Sequence, residues 1–180
     1  MSKFRKEDFP DQFRQFMTVA GDGTGAISMA NNYSASATAF FVQPSVDYVY
    51  LVGTVLIAVS DDAKFTQAGY GGAVGPLTNG IQGFIKKDGI EVDAFAGNTF
   101  KANVDWYGVG SEVVVSTFDT TPQTLSVKFS AYIDTGGYII LDGRSGDQIG
   151  LRIHDDLSGL VKQIAVVRGI RLYRPWSILN

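Results

Sequence analysis

The chain has 180 residues, with 15 Lys+Arg against 18 Asp+Glu, one His and no Cys. That length suits a single domain, and the missing thiols exclude disulfides, thiolate catalysis and sulfur-based zinc sites. A net charge of −3 with dispersed basic residues speaks against a nucleic-acid partner. Gly at 21 of 180 and aromatics at 12%, with abundant Val, Ile and Thr, favour an all-β, turn-rich body over a helical one.

In chain order, residues 1–16 read as an arm, with a short helix expected over 6–16, broken by Pro10, because Phe4, Phe9, Phe13 and Phe16 recur near helical spacing. The sequence MSKFRKEDFPDQFRQF has no apolar stretch of signal-peptide length. GDGTG at 21–25 is a turn, and the arm is bounded at residue 20, leaving 21–180 as one domain. A strand is expected over 38–43, ending at Pro44. A long, nearly all-apolar strand follows over 46–59 and requires cover on both faces, with Gly53 marking a bulge or a bend. It carries Asp47 and is shorter than the roughly 20 apolar residues of a spanning helix, so no membrane partner is expected. The stretch 61–80 has no period and many Gly, so it reads as a long loop. Asp88-Gly89 between FIKK and IEV signals a two-residue hairpin turn. Further strands are expected over 112–118, 125–133 (where Leu125, Val127 and Phe129 alternate with Ser126, Lys128 and Ser130), 138–141, 148–154 and 162–173, with a bulge at Arg168-Gly169. Nine or ten strands without a core helix or a repeat make an antiparallel β-sandwich, jelly-roll-like, with an extended N-terminal arm and a short C-terminal tail.

Few residues offer chemistry. A Ser-His-Asp machine would have to use His154, which sits at a strand end beside Asp155 and Asp156, and no GxSxG elbow exists. Asp61-Asp62 and Asp155-Asp156 lack calcium-loop spacing and read as turn caps. GDGTGA and GYGGAVG lack the Lys-Ser/Thr of a phosphate loop. No catalytic residue, metal or cofactor is expected. Trp106, Tyr107, Tyr70, Tyr138 and Trp176 fit a sugar-stacking platform or core and interface anchors, and the second is favoured because large aromatics dominate cores and interfaces. The ends of the chain are net basic and the middle is acidic. Phe4, Arg5 and Phe9 in the arm and Trp176, Ile178 and Leu179 in the tail are the candidate interface residues, since apolar groups at chain ends need a surface to cover them.

Several segments together resemble a family of small structural proteins of tailed bacteriophage virions. They are GDGTGAISM near the start, GPLTNGI in the middle, the segment FKANVDWY, and ILDGRSGDQIGLRIHDDLSGLVKQIAVVRGIRL near the end, with Asp155-Asp156-Leu157-Ser158-Gly159-Leu160 the most specific part. The resemblance runs from about Gly21 to Leu172 and is patchy; the two ends fall outside it. It implies a non-enzymatic virion component and leaves head against tail open; the expected role is a decoration (cement) protein on the capsid exterior that binds the major capsid protein and itself as a homo-oligomer, with a trimer the first choice. A carbohydrate-binding module associated with a tail or fibre is the alternative.

Overall fold

The structure, a computed structural model, describes residues 14–20, 27–62, 65, 69–70, 75–94, 99–108, 112–116, 123–130 and 137–173. Within these residues the strands are β1 (Arg14–Ala20), β2 (Ile27–Ser28), β3 (Thr38–Val42), β4 (Tyr48–Asp61), β5 (Ile81–Lys87), β6 (Ile90–Asp93), β7 (Thr99–Phe100), β8 (Glu112–Ser116), β9 (Gln123–Ser130), β10 (Ile139–Asp142), β11 (Gln148–Ile153) and β12 (Lys162–Tyr173). Among the described residues a 3-10 turn covers Asn103–Gly108. The larger sheet runs β1-β12-β4-β9-β8, with β2 also on β12 and β10 also on β4. The smaller runs β3-β11-β5-β6, with β7 also on β5.

The pairing is nested. Strand β2 pairs β12, β3 pairs β11, β4 pairs β9 and β5 pairs β6, all antiparallel, so the chain is one long hairpin rolled up from its β5–β6 tip. The two sheets bury Ile57, Val59, Leu125 and Val127 of one against Ile81, Ile149, Leu151 and Ile153 of the other. This is the jelly-roll sandwich expected from the strand count.

Strand β4 shows why the alternation was hard to read. Thr54 lies opposite Arg168 and Val52 opposite Gly169, so Gly53 is the extra residue of a bulge. Tyr50 and Val52 face the sandwich core before it, and Val55, Ile57 and Val59 after it; the bulge moves the apolar set from even to odd positions without turning it out. The bulges expected at Gly53 and at Arg168-Gly169 are thus one feature seen from two strands. The same point divides the partners of β4: residues 49–52 pair β10, and 54–61 pair β9. Cover on both faces holds only for the first half, where Val49 and Leu51 form a second buried cluster with Leu172 on the outer face. Beyond the bulge the outward residues Thr54, Leu56 and Ala58 are half-buried.

Two other expectations change. Arg14–Ala20, assigned to the arm and in part to a helix, is a strand, in register with β12 from Arg14 opposite Leu172 to Ala20 opposite Val166. A free sheet edge offers a continuous ladder, which outweighs a helical spacing of Phe in a segment too short to stand alone. The sandwich therefore begins before residue 21, at Arg14. The loop 61–80 is also less peripheral than its composition implies, since Tyr70 and Leu77 are buried in the core and Phe65 packs on it.

Candidate functional site: a clasp of three loops

The most specific sequence segment, 155–160, meets the 75–81 segment at one end of the sandwich. Strand β11 ends at Ile153, and the turn that follows carries Asp155, whose carboxylate is nearly enclosed, with the residue 6% exposed. Its oxygens accept hydrogen bonds from three successive backbone amides: Thr78 N at 2.9 Å, Asn79 N at 3.0 Å and Gly80 N at 2.7 Å. Gly80 has φ +81°, and a Cβ there would stand 2.6 Å from the Thr99 methyl, so this amide array needs Gly at its end. The side-chain amide of Asn79 donates to the His154 carbonyl at 2.6 Å, tying the two loops a second time.

The N-terminal segment closes the clasp. Tyr33 N donates to the Asp155 carbonyl at 2.9 Å and Leu157 N to the Asn31 carbonyl at 2.8 Å. Asn32 pairs with Asp156 as an isolated bridge, and its Nδ2 donates to Asp156 Oδ2 at 3.0 Å. The other Asp156 oxygen accepts from the Ser158 amide and hydroxyl, bonds that hold its pKa below the ordinary carboxylate value. Leu157 and Leu160 of the same turn are core residues. The DDLSGL segment is therefore a tied turn: its acids face amides, and its leucines face the interior. An open groove of about 470 Å³ lies beside the clasp, bordered by Ser34, Pro76, Thr78, Asp156 and Ser158.

A second acid does similar work at the opposite edge. Asp147, whose side chain is 1% exposed, forms an ion pair with Lys87 and accepts from Asp142 N at 2.9 Å and Asp88 N at 3.1 Å. Lys87 Nζ also donates to the Ile140 carbonyl at 2.6 Å. Burial alone would raise this carboxyl, but the Asp142 amide, the Lys87 ammonium and the Asp88 amide together hold its pKa below the usual carboxylate value. Asp147 thereby fastens the β5–β6 hairpin tip, where Asp88 (φ 49°) and Gly89 (φ 80°) make the expected two-residue turn, to the β10–β11 connection. Sequence reasoning missed Asp147; an acid directly after the Gly-containing turn 143–146 and before a strand was the signal.

The aromatic residues divide. Trp106 is fully buried, stacked on Phe100 with ring centres 3.7 Å apart, and its Nε1 donates to Tyr70 Oη at 2.8 Å. Tyr70 in turn donates to the Phe100 carbonyl at 3.1 Å, and its burial raises its pKa well above the ordinary value. These two are core anchors and no part of a stacking platform. Tyr107 and Tyr138 are exposed, on different parts of the surface: Tyr107 on the 3-10 turn, Tyr138 over Gly53. His154 is exposed, and the neighbouring Asp155 carboxylate is directed to residues 78–80. On the outer face of the smaller sheet Arg152 makes a bidentate pair with Glu91, at 2.6 and 3.0 Å, above the Phe84 ring. The candidate interface residues Phe4, Arg5, Phe9, Trp176, Ile178 and Leu179 all lie outside the described residues. Among the described residues no group of three His, Asp or Glu is placed to hold a metal ion, and no helix is long and apolar enough to cross a membrane.

No family model matches the chain, and no curated protein or solved structure matches it significantly.

Proposed function

We propose that this protein is a structural component of a tailed bacteriophage virion, a capsid decoration protein that binds the major capsid protein on the particle exterior and associates with itself, a trimer being the first choice. One observation carries the reading. Two segments that bear the resemblance, 75–81 and 155–160, are brought together in a hydrogen-bonded clasp closed by Asn31–Tyr33, just beyond a third (21–29), and Asp155 is engaged by backbone amides. Motif residues of this kind preserve a shape, which is what a part assembled in many copies requires. Exposed apolar side chains along the β6 edge, Ile90 at 69% and Val92 at 51%, suit contact with neighbours.

A glycan-binding module of a tail or fibre is the second reading. The open groove supports it, because hydroxyls of Ser34, Thr78 and Ser158 border it. The burial of Trp106 and Tyr70 counts against it, since both were candidate stacking rings.

Co-sedimentation of the purified protein with empty phage heads, run beside a glycan array, separates the two. Saturable binding to heads without glycan binding is expected; glycan binding without head binding would replace the lead reading with the second.

A further inference from the structure

Gln163 stands on the inner face of β12, beside Val59 of β4 and in line with Ala165 and Val167. Side chains of the larger sheet near it are apolar: Val59 of β4 and Leu125 of β9 are fully buried, and Met29, next to β2, is 1% exposed. Gln163 itself is 0% exposed. Its backbone is accounted for, with the carbonyl accepting from Met29 N at 2.7 Å. Its side-chain amide is not: neither Nε2 nor Oε1 has a hydrogen-bond partner among the described residues.

A primary amide carries two donors and a carbonyl acceptor, and removing all of them from water uncompensated is among the costliest arrangements a core can contain. Gln also has an escape that this residue does not take, because a long, flexible side chain near the start of a strand can swing its amide to solvent. Lys162 next to it is exposed, so solvent lies one residue away. The position is moreover one where Leu or Met would fit the alternation of β12 without a polar group. A sandwich end that keeps an amide inside must satisfy it from within.

We infer that the inter-sheet core holds an internal water site at Gln163, with at least one ordered water accepting from Nε2 and donating to Oε1. One water can do both, because the two atoms of an amide lie side by side and water offers a donor and an acceptor at matching spacing. Asp61, 2% exposed and on the same inner face two residues along β4 from Val59, makes this end of the core its polar end. Gln163 pairs with Val59, two residues before the end of β4 at Asp61. The site is independent of the proposed role on the particle, and so is its test.

The test uses the whole protein in solution. In water–protein Overhauser spectra the Gln163 side-chain amide protons should show cross-peaks to a long-lived water, with the sign of a rigid complex. Oxygen-17 relaxation dispersion should count at least one fewer long-lived water in Gln163→Leu than in the wild type. If the leucine variant does not fold, the wild-type cross-peaks alone decide. No cross-peak to water, or an unchanged water count in a folded variant, would overturn the inference. So would a high-resolution crystal structure showing the amide bonded directly to protein or turned out to solvent.

Discussion

Asp155 carries more of this end of the molecule than any other side chain. A carboxylate that accepts three amide hydrogen bonds while nearly enclosed fixes the loop bringing the chain into β5. Replacing it with Ala leaves those amides without acceptors and should lower stability by about 2–4 kcal/mol. Asp155→Asn keeps one acceptor and should fall between. His154 is exposed, so His154→Ala should leave the melting temperature and particle binding unchanged. Thermal melts of the three variants check this; a His154→Ala protein that melts like Asp155→Ala, or loses a hydrolytic activity, would show that the histidine has been misread.

Asp147 gives a pH dependence with a definite sign. Its folded pKa lies below its unfolded value, so the stabilisation is complete above the ordinary carboxylate pKa of about 3.9 and is lost as pH falls through the folded value. Glu91, lowered chiefly by its hydrogen bond to Arg152, acts in the same direction but is more exposed and contributes less. Denaturant melts from pH 7 to pH 2 should show Asp147→Asn destabilised at neutral pH and converging on the wild type in acid. A constant difference across that range would mean that the Lys87 pair and the amide bonds do not depend on the charge of Asp147.

At the scale of elements, two glycines show what backbone proximity demands. A Cβ on Gly169 would lie 2.0 Å from the Leu51 carbonyl oxygen, at the bulge where β4 changes partners. Gly169→Ala must push the two central strands of the larger sheet apart and should cost about 2–3 kcal/mol. Gly89 has open space around it but φ +80°, so Gly89→Ala should cost only about 1 kcal/mol. Chemical denaturation of both variants tests the order, and equal losses would contradict it. The same elements show what the sequence could and could not say. The Asp-Gly turn, the alternation of β9 and β11 and the Gly53 bulge were legible because each follows from a local rule of backbone sterics or period. Strand β1 was not, because its strand character comes from the ladder to β12 and not from its own pattern. The inward turn of Tyr70 was hidden for a similar reason: its partner Trp106 is 36 residues away, and no local signal connects them. The clasp was half legible. DDLSGL could be recognised as a turn and LTNG as the end of a long loop, but that one binds the other is a tertiary fact.

For the molecule as a whole, the rolled hairpin brings β1 and β12 side by side, so the chain enters at Arg14 and leaves at Tyr173 from the same pair of strands. Residues 1–13 and 174–180 therefore start from neighbouring points, one set highly charged (Lys3, Arg5 and Lys6 beside Glu7, Asp8 and Asp11) with Phe4 and Phe9, the other carrying Trp176, Ile178 and Leu179. If both are docking elements, removing either should reduce particle occupancy while the remaining protein still melts cooperatively. Truncation must stop at residue 13, because a cut at 16 removes part of β1. Loss on removing 1–13 should depend on salt, and loss in Trp176→Ala should not, since only the charged contacts are screened over a Debye length of about 10 Å at 0.1 M. Equal binding of all variants at both salt concentrations would remove the termini from the account and direct attention to the β6 edge.

The central claim is a place on a particle, and it is most directly tested by electron-microscopic reconstruction of phage heads incubated with the purified protein. Extra density at symmetry-related positions on the outer surface, each lobe fitting a two-sheet sandwich and grouped as trimers or another closed oligomer, is the result expected. Heads that reconstruct identically with and without the protein, or density confined to tails and fibres, would contradict it.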